Sequence, residues 1–430
     1  MNFGKVNVTI EGGFDNIELP KMIKVHQKFN DEKIADVETH ISNELAEKMV
    51  LANLQGKRIA ITAGSRGIKD IDKITKKVLD ELKDAGAEPF IVPAMGSHGG
   101  ATAEGQKHFL ENYNITEESM NVPIISSMDT VKVGMLDEGI PVYCDKNAYN
   151  SDGIVLINKV KPHADFKGDY ESGLVKMMVI GLGKHAGATS LHKQGFDTFH
   201  YLLPRAAEQF LKGAPVIFGL AIVENAYDDI MRIEAIHPEH ILDREKDLLK
   251  LAKENIARIN VNDIDVLIVD EIGKNISGEG MDPNVTGRPG SMLKEGFDAP
   301  DIKKIVVLDV TKQSHGNGAG IGMSDISTTK CVSKIDLGTM YTNSITATIL
   351  DPAKLPVLMN NDKEAIVIAL KTCNRVDPKN AKIIRIKNTL ELDEVEVSVA
   401  YLEHVKNTEG FTLASEPYPF EFNENGNLFE

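Results

Sequence analysis

Lys176 sits in the run Gly173-Leu174-Val175-Lys176-Met177-Met178-Val179-Ile180, with apolar neighbours on both sides. An amine held among such residues is partly desolvated, which lowers its affinity for a proton and makes it a nucleophile able to form a covalent link. His192 follows sixteen residues later. A strand end, an apolar-flanked lysine and a following histidine are the parts of a site that holds a cofactor by both a covalent and a metal bond.

Six of the twelve histidines fall between His98 and His200. A single histidine is more often structural than catalytic, but His98, in Met95-Gly96-Ser97-His98-Gly99-Gly100, and His163, after Pro162, each come directly after an apolar run and beside Gly or Pro. His108, His185 and His200 lack that setting and read as structural or solvated. Two imidazoles facing one substrate carbon from opposite sides can each take or return a proton, which a racemase or epimerase needs. Arg66, in Gly64-Ser65-Arg66-Gly67, is placed on a turn at the start of a helix, where a guanidinium can grip a carboxylate by two parallel hydrogen bonds. The segment Gly181-Leu182-Gly183-Lys184-His185 fails the phosphate-loop pattern, because Lys184 is followed by His185. A backbone cradle for one phosphate, or close helix packing, is what it leaves.

The elements that must carry these residues alternate. Arg58–Ala63 reads as a strand ending at Gly64; a helix follows, capped by Asp70, with apolar residues at Ile71, Ile74, Val78, Leu82 and Ala85 and a stop at Gly86. Pro89–Pro93 is the next strand, and a helix begins at Ala103. Gly153–Asn158 is a third strand. Such alternation implies a parallel sheet with right-handed crossovers, and ligands of open parallel sheets bind beyond the carboxyl ends of the strands. Arg66, His98 and His163 all fall at such ends. Lys5–Ile10 alternates as an edge hairpin would, and residues 36–54 read as a covering helix.

The expected fold is therefore α/β in two domains: residues 1–262, with a parallel-rich sheet flanked by helices, and a smaller α/β domain of residues 263–430. The active site is expected in the cleft between them. The second domain opens with the strands Val266–Asp270 and Ile305–Asp309, and the Gly-, Asn- and Pro-rich stretch between them, residues 271–301, is a substrate-loop candidate.

Composition narrows the classes. With 430 residues and 42% hydrophobic content the chain can bury more than one core. A formal net charge of -16 repels phosphate backbones and anionic lipid, so neither nucleic acid nor membrane is an expected partner. The three cysteines, Cys144, Cys331 and Cys373, supply neither a disulfide framework nor a zinc module. With no apolar run of spanning length and no leader-like N-terminus, the expected location is the cytoplasm.

Taken in order, GSRG, MGSHGG, KPH, SGLVK and the histidine sixteen residues after the lysine resemble the nickel-pincer lactate racemase family of 2-hydroxyacid racemases and epimerases. The resemblance implies a pyridinium mononucleotide, tethered through a thioamide to Lys176, whose ring carbon and sulfurs hold nickel, with His192 as a further metal ligand. It also implies His98 and His163 as the acid/base pair, Arg66 as a substrate or cofactor anchor, and cofactor-biosynthesis proteins as partners. Two departures stand out. The segment from His163 to Lys176 is long and charged. Residues 271–301 show no adjacent glutamine and lysine for a lactate carboxylate; Lys274 is matched to another position there. Asn275, Asp282, Asn284 and Arg288 suit a polar or sugar-acid substrate better than lactate. The competing readings are a lactate racemase proper, a conventional metal-dependent lyase or hydrolase with His98, His163 and His192 as ligands, and a non-catalytic nickel or nucleotide carrier.

Overall fold

The computed structural model describes residues 4–65 and 67–429. Its fold is α/β, as expected, and the chain divides into two compact units: Asn30–Ile256, and the residues up to Phe29 together with those from Ala257 onward. The division thus differs from the expected 1–262 and 263–430. The reason lies in the first strand, β1 (Met22–Gln27), which pairs within the sheet of the second unit and takes its flanking residues with it. The alternating segment Lys5–Ile10 forms no strand, and the helix expected over residues 36–54 spans Val37–Glu47.

The first unit is built on β2 (Arg58–Ala63), β3 (Glu88–Pro93), the antiparallel hairpin β4 (Thr130–Met135) and β5 (Pro141–Asp145), β6 (Gly153–Lys159), β7 (Val216–Glu224) and β8 (Ile230–Ile236). Five of these form one sheet in the order β3-β2-β6-β7-β8, with β3, β2, β6 and β7 parallel and β8 antiparallel at the edge. Both faces of this sheet are covered. Ala60, Ile154 and Leu156 pack into one core with the helices Phe199–Gly213 and Ile241–Asn255, whereas Ile59, Ile61, Val155 and Ile157 pack into another with Ile74, Val78 and Leu82 of the helix Ile71–Asp84. Double burial explains why these strands read as unbroken apolar runs and not as alternation. Asp70 precedes the helix Ile71–Asp84 but does not cap it; its φ is +54° and its carboxylate pairs instead with Lys73 at 2.7 Å.

The second unit holds β9 (Asp263–Val269), β10 (Asp301–Val307), β11 (Ile326–Thr328), β12 (Val357–Met359), β13 (Ile383–Ile386), β14 (Glu394–Ser398) and β15 (Phe411–Leu413). With β1 they form an eight-stranded mixed sheet in the order β12-β11-β10-β9-β13-β14-β1-β15. Leu267 and Val269 face one core of this unit, Val266 and Ile268 the other. The three cysteines are free thiols and all are buried. Among the described residues no helix is long and apolar enough to cross a membrane.

Candidate active site

Because β2, β3 and β6 run parallel, the chain leaves all three at the same edge of the sheet, at Ser65, at Ala94–His98 and at Val160–His163. This edge is where a parallel sheet offers its loops to a ligand. The loop after β6 is closed by a pair of backbone hydrogen bonds between Lys161 and Ser172, of 2.9 and 3.1 Å. Inside it the buried Glu171 carboxylate accepts from the backbone N–H groups of His163 (2.6 Å) and Gly168 (3.2 Å), and from the ammonium groups of Lys167 (3.2 Å) and Lys253 (2.6 Å). The extra charge in this segment therefore organises the loop from within and fixes the backbone of His163.

The His163 ring is buried against Phe166, with centroids 4.4 Å apart. Its Nδ1 accepts the backbone N–H of Asp165 at 3.0 Å, so a neutral ring carries its single proton on Nε2. Nε2 lies 2.5 Å from Lys176 Nζ. Lys176 ends a single helical turn, Leu174–Lys176, that runs on as a π-helical turn over Met177–Gly181, a distortion that recurs at functional sites.

His192 is the last residue of the helix Lys184–His192. Its ring stacks on Phe199, 5.4 Å away at an interplanar angle of 10°, and lies 5.5 Å from Phe196, whose ring is 6.0 Å from that of His163. Burial, with the nearby Lys176 charge adding to it, pushes the His192 imidazole down to about 4. The ring is therefore neutral at physiological pH, with a lone pair to offer a metal. His163, Lys176 and His192 thus gather around one aromatic cluster of Phe166, Phe196 and Phe199.

His98 is exposed on the turn after β3, with Nδ1 2.5 Å from Ser65 Oγ on the turn after β2. Arg66, the expected anion anchor, lies outside the described residues. Lys274 belongs to the second unit, where its ammonium donates to Gly278 O at 2.5 Å and its backbone N–H to Ser314 Oγ at 2.9 Å. The other loop residues read as suiting a hydroxylated acid are engaged within that unit. Arg288 binds Asp325 (2.7 Å) and the carbonyl oxygens of Met323 and Ile302; Asn275 accepts from Thr311; Asp282 caps the backbone N–H of Asn284. Arg288 in particular spends its guanidinium on holding the loop to β10 and the start of β11.

Three buried polar groups escaped the sequence reading. Lys184, fully buried, donates to Pro93 O (2.8 Å) and Gln106 Oε1 (2.6 Å), 3.7 Å from the Asp145 carboxylate; burial pushes its ammonium down to about 8 and raises the Asp145 carboxyl. Gln106 in turn donates to Gly96 O (2.8 Å) and His98 O (3.2 Å), so it braces the His98 turn from behind. The third is Glu245. The glycines around Lys184 serve close packing: a Cβ on Gly183 would lie 2.2 Å from Val179 O. Among the described residues no group of three or more His, Cys, Asp or Glu side chains is arranged to hold a metal ion, so His98, His163 and His192 do not form a ligand set of their own.

An α/β unit with a lysine and two histidines converging near the carboxyl edge of a parallel sheet is the class that fold and site define. Residues 16–199, a span that contains His98, His163, Lys176 and His192, match the family model of the lactate racemase N-terminal domain. Among solved structures, the lactate racemase apoprotein from Thermoanaerobacterium thermosaccharolyticum is similar at 15% identity and a TM-score of 0.51, covering 86% of this chain and 99% of that one. A Thermotoga maritima protein solved by structural genomics matches at 13% identity and a TM-score of 0.48, covering 85% and 99%. No curated protein matches the sequence.

Proposed function

We propose that this chain inverts C2 of a 2-hydroxyacid, using a nickel-pincer nucleotide tethered to Lys176. The observation that carries the reading is the 2.5 Å contact between His163 Nε2 and Lys176 Nζ, with His192 in the same aromatic cluster. The donor set fits such a group. Lys176 offers the amine for a thioamide, and His192 offers one neutral imidazole. A metal that arrives with carbon and sulfur donors of its own needs little more from the protein. When bound, the group supplies a hydride acceptor and donor at its ring.

The chain's own residues handle protons and position. His163, with Nδ1 occupied by the Asp165 N–H, presents its Nε2 proton toward the tether and suits the role of donor to a substrate oxygen. His98 is set by Ser65: a serine hydroxyl accepting from Nδ1–H leaves Nε2 bare, the form that takes a proton from the substrate hydroxyl. The phenyl rings of Phe166, Phe196 and Phe199 keep water from one side of the site. Arg66 would anchor the substrate carboxylate or the cofactor. Because Arg288 and Asn275 are committed within that unit, the substrate is proposed at the level of a 2-hydroxyacid, with polar and sugar acids first on the panel.

Protein produced together with the cofactor-assembly proteins should carry an adduct on the Lys176 peptide by mass spectrometry and should scramble the stereocentre of at least one panel acid, followed by chiral chromatography. The Lys176→Ala variant should show neither. An unmodified Lys176 in racemising wild-type protein would refute the tether.

A further inference from the structure

Glu245 lies on the helix Ile241–Asn255 and is fully buried, and among the described residues no cation pairs with it. Burying a carboxyl without a counter-ion is costly, so the contact it makes calls for a reason. Its Oε2 accepts the backbone N–H of Val175 at 2.9 Å, one residue before the tether lysine. Gly173 lies directly beneath it: a Cβ at that position would stand 2.4 Å from the carboxyl carbon, so only glycine lets the carboxyl reach the turn. On the other side, Asn158 at the end of β6 donates to Gly173 O at 2.7 Å, and the Lys161–Ser172 pair closes the chain just before. The segment 172–175 is thus held from three directions, and Lys176 leaves it pointing at His163.

We propose that Glu245 is a positioning residue for Lys176: it seats the turn that aims the amine, and Gly173 is kept small so that it can. The proposal rests on Lys176 being the cofactor tether, and it is tested by two readouts of which one needs no cofactor. The first is backbone hydrogen exchange of the peptide covering residues 172–178 in full-length apo-protein, followed by mass spectrometry. The second is the fraction of Lys176 that carries an adduct in protein made with the assembly pathway.

Glu245→Ala and Gly173→Ala should each raise exchange in this peptide by about tenfold or more, with β6 and β7 unchanged, and should lower the adduct fraction at Lys176 several-fold. Glu245→Gln keeps an oxygen facing Val175 and should stay within about threefold of wild type in exchange. A merely stabilising residue would loosen β6 and β7 as well. If Glu245→Ala does not fold, Gly173→Ala and Glu245→Gln decide the matter on their own. Unchanged exchange at 172–178 in folded Gly173→Ala, or faster exchange with the adduct fraction intact, would overturn the proposal. A wild-type protein with no adduct at all would instead overturn the tether.

Discussion

Replacing Glu245 by Gln should change how the stability of the first unit depends on pH. Burial, opposed by the backbone N–H groups of Val175 and Leu174, pushes this carboxyl from its ordinary 4.5 up to about 7. In the unfolded chain the group loses its proton near 4.5, and in the folded chain it keeps it to about 7. Between those values the folded state binds the extra proton, so the folded state loses stability as pH rises, and the loss is complete above about pH 7. At about 1.4 kcal/mol per unit, a difference of about 2.5 units corresponds to about 3 kcal/mol. Glutamine has no such proton to lose. Wild type and Glu245→Gln should therefore have similar stability near pH 4.5 to 5, and by pH 8 the variant should be ahead by about 3 kcal/mol. For a unit of this size that is a gap in melting temperature of about 6–12 °C. Thermal unfolding followed by circular dichroism across pH 5–8 measures it. A gap between the two proteins that stays constant to within about 0.5 kcal/mol over this range would refute the buried, unpaired carboxyl.

Two further outcomes are expected. Under the proposed function, in which His192 is the imidazole that holds nickel, His192→Ala should lower nickel content per chain by roughly tenfold or more, measured by elemental analysis of protein made with the assembly pathway. Lys184→Met should remove a stability gain that wild type shows on going from pH 8 to 10: the buried ammonium gives up its proton near 8 in the folded chain while the unfolded chain still binds it, so wild type strengthens as pH rises through this window. Denaturant titrations of both proteins at pH 8 and pH 10 would show a parallel response if this reasoning were wrong.

The parallel strands were legible because each is buried on both faces and stops at glycine or proline, as β2 does at Gly64 and β6 before Pro162. That pattern also placed His98 and His163 at strand ends. Pairing between distant segments was not legible. Met22–Gln27 binds strands more than 350 residues away, and nothing local in MIKVHQ names them. Lys5–Ile10 had the alternation of a strand but has no partner strand in the sheets. Buried polar residues were missed for another reason: Glu245 sits in the charged run Asp243–Asp247, which reads as solvent-facing. The spacing held a signal, since Ile241, Glu245, Leu248 and Ala252 share one helical stripe, and a carboxylate on an apolar stripe is a question in itself. Gln106 and Lys184 meet across 78 residues, a pairing that only the folded chain shows.

The path of the chain also bears on how the protein is made. The first unit is one continuous stretch whose two ends lie side by side, with Asn30 Nδ2 donating to Asn255 Oδ1 at 2.8 Å. It has the form of a domain inserted into another, and on the ribosome it can finish folding while the rest is still being translated. β1 has no such freedom: its sheet neighbours β14 and β15 are synthesised last, so its edges stay uncovered through most of elongation. The alternating lysine and histidine of Met22-Ile23-Lys24-Val25-His26-Gln27 put charge and polarity on one face of that waiting strand, which lessens its tendency to pair with the wrong nascent chain.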